Sequence, residues 1–421
     1  MQATNGSDCW QFARERGLAP PASGGWLVSD EGLETLNLWR QRIADYPDSF
    51  KLDAAIRKEL PFDRAVAISG QLALSEKVKR KFPDFPFLLV TDKGLQQATD
   101  SLIAQYKRDV ALKELASESV RFADLCCGIG GDLIAFAKAV PSVGVDIDPT
   151  TAIFAQTNCR LAGTDAKVCC CSAEEFDLSN CNLIHIDPDR RPGGRRTTNA
   201  DFFQPPREFI DQFVSRVGRV IVKSAPGASI PESWRQNAQW EWIEHNGECK
   251  QAVGWFGFES RPGDTIRATI VSETGAESFS APAPKRSGVL SFQSQKTIQP
   301  SDYKYIYAPA PSLSTSGLIP AFCQSFGLSE LSPGGYLGSN ELLESPFVTA
   351  FEIEEVFPLN AKKVKQGLKQ RDVDRIIGKK RGAVPEPEEF LKKLGFPNSA
   401  PPDAPTLLLF DKFAVLGTRI R

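Results

Sequence analysis

The sequence predicts an α/β protein. Its centre is a doubly wound parallel sheet, with a mostly helical region before it and a small α+β region after it. Three observations predict this. Between residues 113 and 278, short apolar runs alternate with helical patterns, the rhythm of βαβ units. The runs are continuously apolar, as parallel strands buried on both faces are. A glycine-rich turn joins the first run to the first helix, and an acid closes each of the first two runs.

The elements follow in order. Residues 1–112 read as mostly helical. Ser29-Asp-Glu-Gly-Leu33 opens one helix, with Leu33, Leu36, Leu38 and Ile43 as its apolar positions. Thr91 or Asp92 caps another, carried on by Leu95, Ala98, Leu102, Ile103 and Tyr106. Pro20–Gly25 reads as a loop. In 113–278, strands are expected at Phe122–Cys126, Val143–Ile147, Lys167–Cys171, Leu183–Asp187 and Arg219–Lys223. Helices are expected at Asp132–Val140 and Pro149–Leu161, the latter opened by a proline as helix geometry favours. Residues 279–300, with Ala281-Pro-Ala-Pro-Lys-Arg286, read as a linker. In 301–421 a helix is expected at Asn360–Gln370. A terminal hairpin pairs Thr406–Phe410 with Phe413–Leu416 across Asp411-Lys412.

Composition narrows the function classes. The chain has 421 residues, enough for two to three domains at roughly 150 residues each. Its 41% hydrophobic and 24% charged residues are those of an ordinary globular protein, not a disordered chain or a fibre. Only two histidines occur, which argues against a His-rich metal site. Seven of the ten cysteines fall between Cys126 and Cys181, several adjacent, with no CxxC pair. That makes a poor disulfide or zinc framework and fits packed thiols in a reducing cytoplasm. No signal peptide and no run of 18 apolar residues is evident, so no membrane contact is expected. The net charge of −2 means that any nucleic-acid contact comes from local patches.

The strongest chemical feature is Asp124-Leu-Cys-Cys-Gly128-Ile-Gly130-Gly-Asp132. A strand-to-helix turn of this kind needs positive φ and lets a ligand approach the backbone. Asp146 closes the second strand, where a doubly wound sheet places an acid on a ribose diol. The loop reads GxGGD, not GxGxxG, and an acid at the helix N-terminus would repel a pyrophosphate. S-adenosylmethionine carries an ammonium and a sulfonium, so the loop favours it over a dinucleotide. The cofactor set is Asp124, Cys126, Gly128, Gly130, Asp146 and Ile147, with Ser172 and Ala173 after the third strand and Asp187 after the fourth. His185, inside the fourth strand, reads as a core residue and not as a base.

The second feature is Leu183-Ile-His-Ile-Asp187-Pro188-Asp189-Arg190-Arg191, followed by Pro192-Gly-Gly-Arg195-Arg196. Asp187 and the Pro188 carbonyl can accept two hydrogen bonds from a planar amine and turn its lone pair to an incoming methyl group, chiefly a positioning effect. The familiar amine-methylating pattern continues with Pro and an aromatic; here Asp189 and Arg190 stand there instead. Asp187, Pro188 and Arg190 are the catalytic candidates. Arg191, Arg195 and Arg196 are candidates for holding substrate phosphates. Carbon-5 cytosine methylation needs a cysteine nucleophile, and neither this loop nor Lys223–Gly227 has one. Between Ala361 and Arg381, nine lysines and arginines face two aspartates, a local net charge of +7. Lys379, Lys380 and Arg381 carry that charge beyond the helix and complete the substrate-binding set.

These residues together resemble the class I S-adenosylmethionine-dependent methyltransferases. More narrowly, the chain resembles bacterial members with a C-terminal THUMP-like domain. The likeness rests on Gly94–Thr99, the DLCCGIGGD loop, HIDPDRR, Ser345-Pro-Phe-Val, Gly378–Gly382 and the last hairpin. It covers roughly 340 residues, from near Arg80 onward; the first 75 or so match nothing familiar. It implies a Rossmann-like seven-strand methyltransferase sheet in 113–278 and a THUMP-like region in 301–421. It implies RNA, transfer RNA included, as substrate; composition adds the expectation of no membrane and no metal. Three other readings stay open: methylation of a protein or small molecule, a non-catalytic RNA-binding protein with a degenerate methyltransferase domain, and a dehydrogenase.

Overall fold

The computed structural model describes residues 22–116, 118–189, 203–261, 263–283, 299–332, 335–397 and 400–420. Contacts divide the chain into two compact units, Met1–Gln239 with Ala252–Gly263, and Trp240–Gln251 with Asp264–Arg421.

The first unit opens with helices α1 (Ala22–Leu27), α2 (Asp30–Arg42), α3 (Ser49–Glu59) and α4 (Phe62–Lys81). Side-chain caps start two of them. Ser29 Oγ accepts from Gly32 N at 3.2 Å, and Asp48 Oδ1 accepts from Lys51 N at 2.8 Å. Leu36, Trp39, Ile56, Ile68 and Leu72 form their core, with Leu89 and Phe154 packed in. Leu38, expected inside, is 51% exposed, and Trp39 is buried in its place. Positions 36 and 38 lie about 200° apart on a helix, so they cannot share a face.

The single helix expected from Thr91 is two helices, α5 (Asp92–Gln97) and α6 (Ser101–Glu114). Ala98 turns to extended backbone at ψ 147, and Thr99 Oγ1 reaches Asp132 Oδ2 at 2.6 Å. The break leaves late carbonyls of α5 without helical partners, Gln97 O among them.

The βαβ rhythm then appears as expected: β1 (Phe122–Leu125), α7 (Gly131–Ala137), β2 (Ser142–Asp146), α8 (Pro149–Leu161), β3 (Lys167–Cys170), β4 (Leu183–Ile186), α9 (Arg207–Val217) and β5 (Val220–Ser224). β1, β4 and β5 are buried at every position, which is why they read as largely apolar runs, broken only by Asp124, His185, Lys223 and Ser224. β1 pairs in parallel with β2 and β4, β2 with β3, and β4 with β5. After α10 (Glu232–Asn237), the turn Asn246-Gly247 joins β6 (Ala238–His245) to β7 (Glu248–Phe256), with positive φ at both turn residues. The Ala252–Phe256 end of β7 runs antiparallel to β5. The strand order in this unit is thus β3-β2-β1-β4-β5-β7.

In the second unit, Trp240–Glu244 of β6 pairs in parallel with β8 (Thr265–Ser272), which turns back into β9 (Gly275–Pro282). A separate seven-stranded sheet follows. Its chain order is β10 (Tyr305–Pro309), α11 (Pro311–Thr315), α12 (Ile319–Phe326), β11 (Ser329–Glu330), β12 (Leu337–Ser339), β13 (Val348–Pro358), α13 (Ala361–Gln370), β14 (Ile377–Lys380), α14 (Pro387–Leu394), β15 (Thr406–Phe410) and β16 (Phe413–Arg419). The spatial order is β11-β12-β10-β13-β16-β15-β14, antiparallel except for β14 beside β15. The expected helix and hairpin are both present, the hairpin turning at Asp411 with φ 47°. Val364, Leu368, Phe390, Leu391 and Leu394 bury against Leu407, Leu409 and Leu416.

Candidate active site

The carboxyl ends of β1 to β5 converge on one cavity of about 820 Å³ in the first unit. That edge is where doubly wound sheets bind ligands. Of the expected cofactor residues, Asp124, Cys126, Gly128, Asp146, Ile147, Ser172, Ala173 and Asp187 all line it. Gly130 does not. It caps α7 at φ 90°, where a Cβ would lie 3.7 Å from Ala155, so its part is to make the turn.

The glycine loop is locked to the second strand. Asp146 Oδ2 accepts from Gly128 N at 2.9 Å, and Oδ1 accepts from Asp148 N at 3.0 Å. Burial outweighs both bonds and holds the Asp146 carboxyl up at about 6. Ile147, next along, is 57% exposed at the cavity wall, an apolar surface suited to a base ring. Ser172 Oγ accepts from Glu175 N at 3.3 Å and so shapes the loop after β3.

Beneath the loop lies a buried polar chain. His185 Nδ1 is 2.7 Å from Asp124 Oδ1, and His185 Nε2 is 3.0 Å from Lys107 Nζ. Lys107 pairs with Asp132 Oδ1 at 2.7 Å. Burial lowers the Lys107 ammonium from its ordinary value. Burial pushes Asp132 up, but the charges of Lys107, His185 and Lys223 outweigh it and hold that carboxyl well below its ordinary value. The repulsion expected from Asp132 toward a pyrophosphate is therefore largely cancelled by Lys107. The acids that disfavour a pyrophosphate are Asp124 and Asp146. Asp124 Oδ2 is buried and has no hydrogen-bond partner among the described residues. A buried acceptor left unmade costs about 1–3 kcal/mol, so this atom is the best evidence for a cationic ligand group. His185 is buried in its strand as expected, yet it belongs to the cavity floor and not to plain apolar core.

Asp187 is already engaged on one oxygen. Its Oδ2 accepts from Lys223 Nζ at 2.6 Å, and the same ammonium donates to Gln97 O at 3.0 Å. The broken α5 thus supplies the carbonyl that anchors Lys223. Pro188 and Asp189 line the cavity beside it, and Asp189 bridges Gln204. Arg190, Arg191, Arg195 and Arg196 lie outside the described residues. The Cys126 thiol sits at φ 57°, and burial raises it well above its ordinary value; Cys127 behaves alike. Both are packing thiols. No group of three or more metal-binding side chains occurs among the described residues.

The sequence reading missed Lys223, Lys107 and the wall formed by Thr91, Lys93 and Gln97–Thr99. One signal was available: Lys107 shares a helix face with buried Ile103, Ala104 and Ala111, and a lysine there needs partners. Lys223 likewise interrupts a fully buried strand.

The basic candidates sit in the second unit. Lys379 is exposed, 5.7 Å from the Phe351 ring. Lys380 pairs with Glu386. Arg381 is spent on Ser314 Oγ at 3.1 Å and on the Pro309 carbonyl. Lys362, Lys363, Lys365 and Lys369 are exposed on α13, whose Val364 and Leu368 are buried as the spacing predicts.

Comparison with known proteins agrees with this geometry. Residues 120–202 match the family model of RNA cap guanine-N2 methyltransferases, and 348–411 match that of THUMP domain-like regions. An uncharacterised S-adenosylmethionine-dependent methyltransferase of Mycobacterium tuberculosis, found in two strains, is 28% identical over 318 residues, 74% of this chain and 82% of the relative. The crystal structure of a candidate methyltransferase from Porphyromonas gingivalis W83 superposes with a TM-score of 0.72 at 18% identity. That match covers 93% of this chain and 99% of the other.

Proposed function

We propose that this chain, a class I S-adenosylmethionine-dependent methyltransferase with a C-terminal THUMP-like domain, methylates a base nitrogen of RNA in the cytoplasm. S-adenosylmethionine is the cofactor, and it supplies a methyl group already activated on a sulfonium. The observation that carries the reading is the placement of Asp187 on the same cavity as Asp124 and Asp146.

Three groups hold the cofactor in this reading. Asp124 Oδ2 takes the α-ammonium, Asp146 the ribose hydroxyls, and Ile147 with Ser172 and Ala173 the adenine. Asp187 Oδ1 and the Pro188 carbonyl accept the two hydrogen bonds of the acceptor's exocyclic amine. Lys223 fixes Asp187 in orientation. Holding the nitrogen lone pair in line is a proximity effect. No strong base is required, because the amine proton can leave to water after transfer. Arg190, Arg191, Arg195 and Arg196, together with Lys379 and the α13 lysines, are assigned to phosphates. Lys380 and Arg381 drop to supporting roles, since Lys380 is paired with Glu386 and Arg381 is hydrogen-bonded to Ser314 and the Pro309 carbonyl.

RNA is supported by the matched family descriptions and by the α13 lysines. The cytoplasm is supported by the absence of disulfides at the nine cysteines among the described residues. No helix among those residues is long and apolar enough to cross a membrane. The test offers methyl-labelled S-adenosylmethionine to purified cell RNA and, separately, to cell protein. Label entering RNA alone supports the reading. Label entering protein alone, or neither, overturns it.

A further inference from the structure

The four buried groups beneath the glycine loop do not balance in charge. Asp124 and Asp132 bring two negative charges. Lys107 and His185 share one positive charge: the Lys107 ammonium, held at 2.7 Å by Asp132, can only donate to His185 Nε2 at 3.0 Å. A ring whose Nε2 accepts carries its proton on Nδ1, which donates to Asp124 Oδ1 at 2.7 Å. If the proton sat on the ring and not on the amine, the sum would be the same. The nearby Lys223 and Asp187 cancel each other. One negative charge is left over, and its open position is Asp124 Oδ2, buried and unpartnered among the described residues.

We propose that Lys107 and His185 are positioning residues for the amino-acid end of the cofactor. Acting through Asp124, they aim one anionic oxygen at an α-ammonium, which supplies the missing positive charge. This rests on the methyltransferase reading and adds a recognition role for α6, an element that precedes the glycine loop. Three features fit it. Lys107 is 0% exposed, an expense a surface-anchored ion pair would not need. Burial holds the Asp124 carboxyl above its ordinary value, the direction of a carboxylate still short of a counter-charge. Asp132 Oδ2 accepts from Thr99 Oγ1 at 2.6 Å and its Oδ1 is ion-paired with Lys107 at 2.7 Å, whereas Asp124 Oδ2 has neither a hydrogen bond nor an ion pair among the described residues.

The experiment compares two ligands that share adenosine and differ in the amino acid. S-adenosylhomocysteine keeps the α-ammonium; methylthioadenosine lacks it. Binding of each is measured by titration calorimetry on the wild-type full chain and on Lys107→Met, with circular dichroism to confirm folding. The variant is expected to lose about 10–100-fold in affinity for S-adenosylhomocysteine, the worth of a hydrogen bond to a charged group. It is expected to change by less than about threefold for methylthioadenosine. Lys107→Arg should recover part of the loss. His185→Asn, which keeps a donor for Asp124 but cuts the link to Lys107, is the gentler variant if Lys107→Met does not fold. Equal loss for both ligands, or no loss for either, overturns the proposal. A wild-type chain that binds neither ligand overturns the methyltransferase reading as well.

Discussion

Lys223→Met tests the acceptor side of the site. The side chains of Lys223 and Asp187 are 8% and 22% exposed, and their charged atoms are 2.6 Å apart. At an effective dielectric of about 20 such a contact is worth several kcal/mol before desolvation, and desolvation offsets most of it. Removing one partner of a fully buried pair costs about 3–5 kcal/mol. Asp187 is one-fifth open to water, so the cost falls below that range, to about 2–3 kcal/mol. The bond to Gln97 O is lost too, freeing the end of α5. In a unit of this size each kcal/mol moves Tm by about 2–4 °C, so a fall of roughly 4–12 °C is expected. The larger effect is on chemistry. A carboxylate displaced by about 1 Å costs on the order of 100-fold in rate. The assay is differential scanning fluorimetry beside single-turnover methyl transfer and S-adenosylhomocysteine titration. The expected result is kcat down about 10–100-fold, with cofactor affinity within about threefold and partial recovery in Lys223→Arg. A normal kcat with a lowered Tm would refute the reasoning, because the pair would then be structural only. A selective loss of cofactor affinity would move Asp187 from the acceptor to the cofactor.

Three further outcomes are expected. Asp146, held at about 6, takes up a proton as pH falls through that value, so S-adenosylhomocysteine affinity should drop by up to about tenfold per pH unit below it; calorimetry from pH 5 to 8 checks this. The sign for stability is opposite. A carboxyl raised above its unfolded value costs stability on ionising, so in the ligand-free protein its contribution falls as pH rises from about 4 to about 6. Gly130→Ala forces a side chain into φ 90° and should cost about 1–2 kcal/mol, read as a lowered urea midpoint. Changing Lys362, Lys363, Lys365 and Lys369 to Gln should weaken RNA binding and flatten its salt dependence by about 3–4 in log–log slope, with Tm little changed, as filter binding at several salt concentrations would show.

Most of the fold was legible because burial leaves a period in the sequence. β1, β4 and β5 are apolar at nearly every position, so they read as parallel strands. The terminal hairpin read cleanly because polar Asp411-Lys412 interrupts two apolar runs. The break at Ala98–Asp100 did not read, since the apolar spacing continues across it and only the bond from Thr99 to Asp132 shows that the chain turns there. The cofactor side of the site was legible because glycines and acids mark strand ends. The pairing of Asp187 with Lys223 was not, because those residues are 36 apart and meet only once β4 lies beside β5. The charge of +7 was visible, but not its division. Lys380 and Arg381 answer to Glu386, Ser314 and Pro309, whereas the α13 lysines face outward.

The central claim is methyl transfer from S-adenosylmethionine to an RNA base nitrogen. It is tested most directly by mass spectrometry of RNA nucleosides from cells with and without the gene, complemented by wild type and by Asp187→Ala. The account predicts one base-methylated nucleoside that disappears with the gene, returns with the wild type and stays absent with Asp187→Ala. An unchanged nucleoside profile, or loss of a ribose-methylated nucleoside instead, would contradict it.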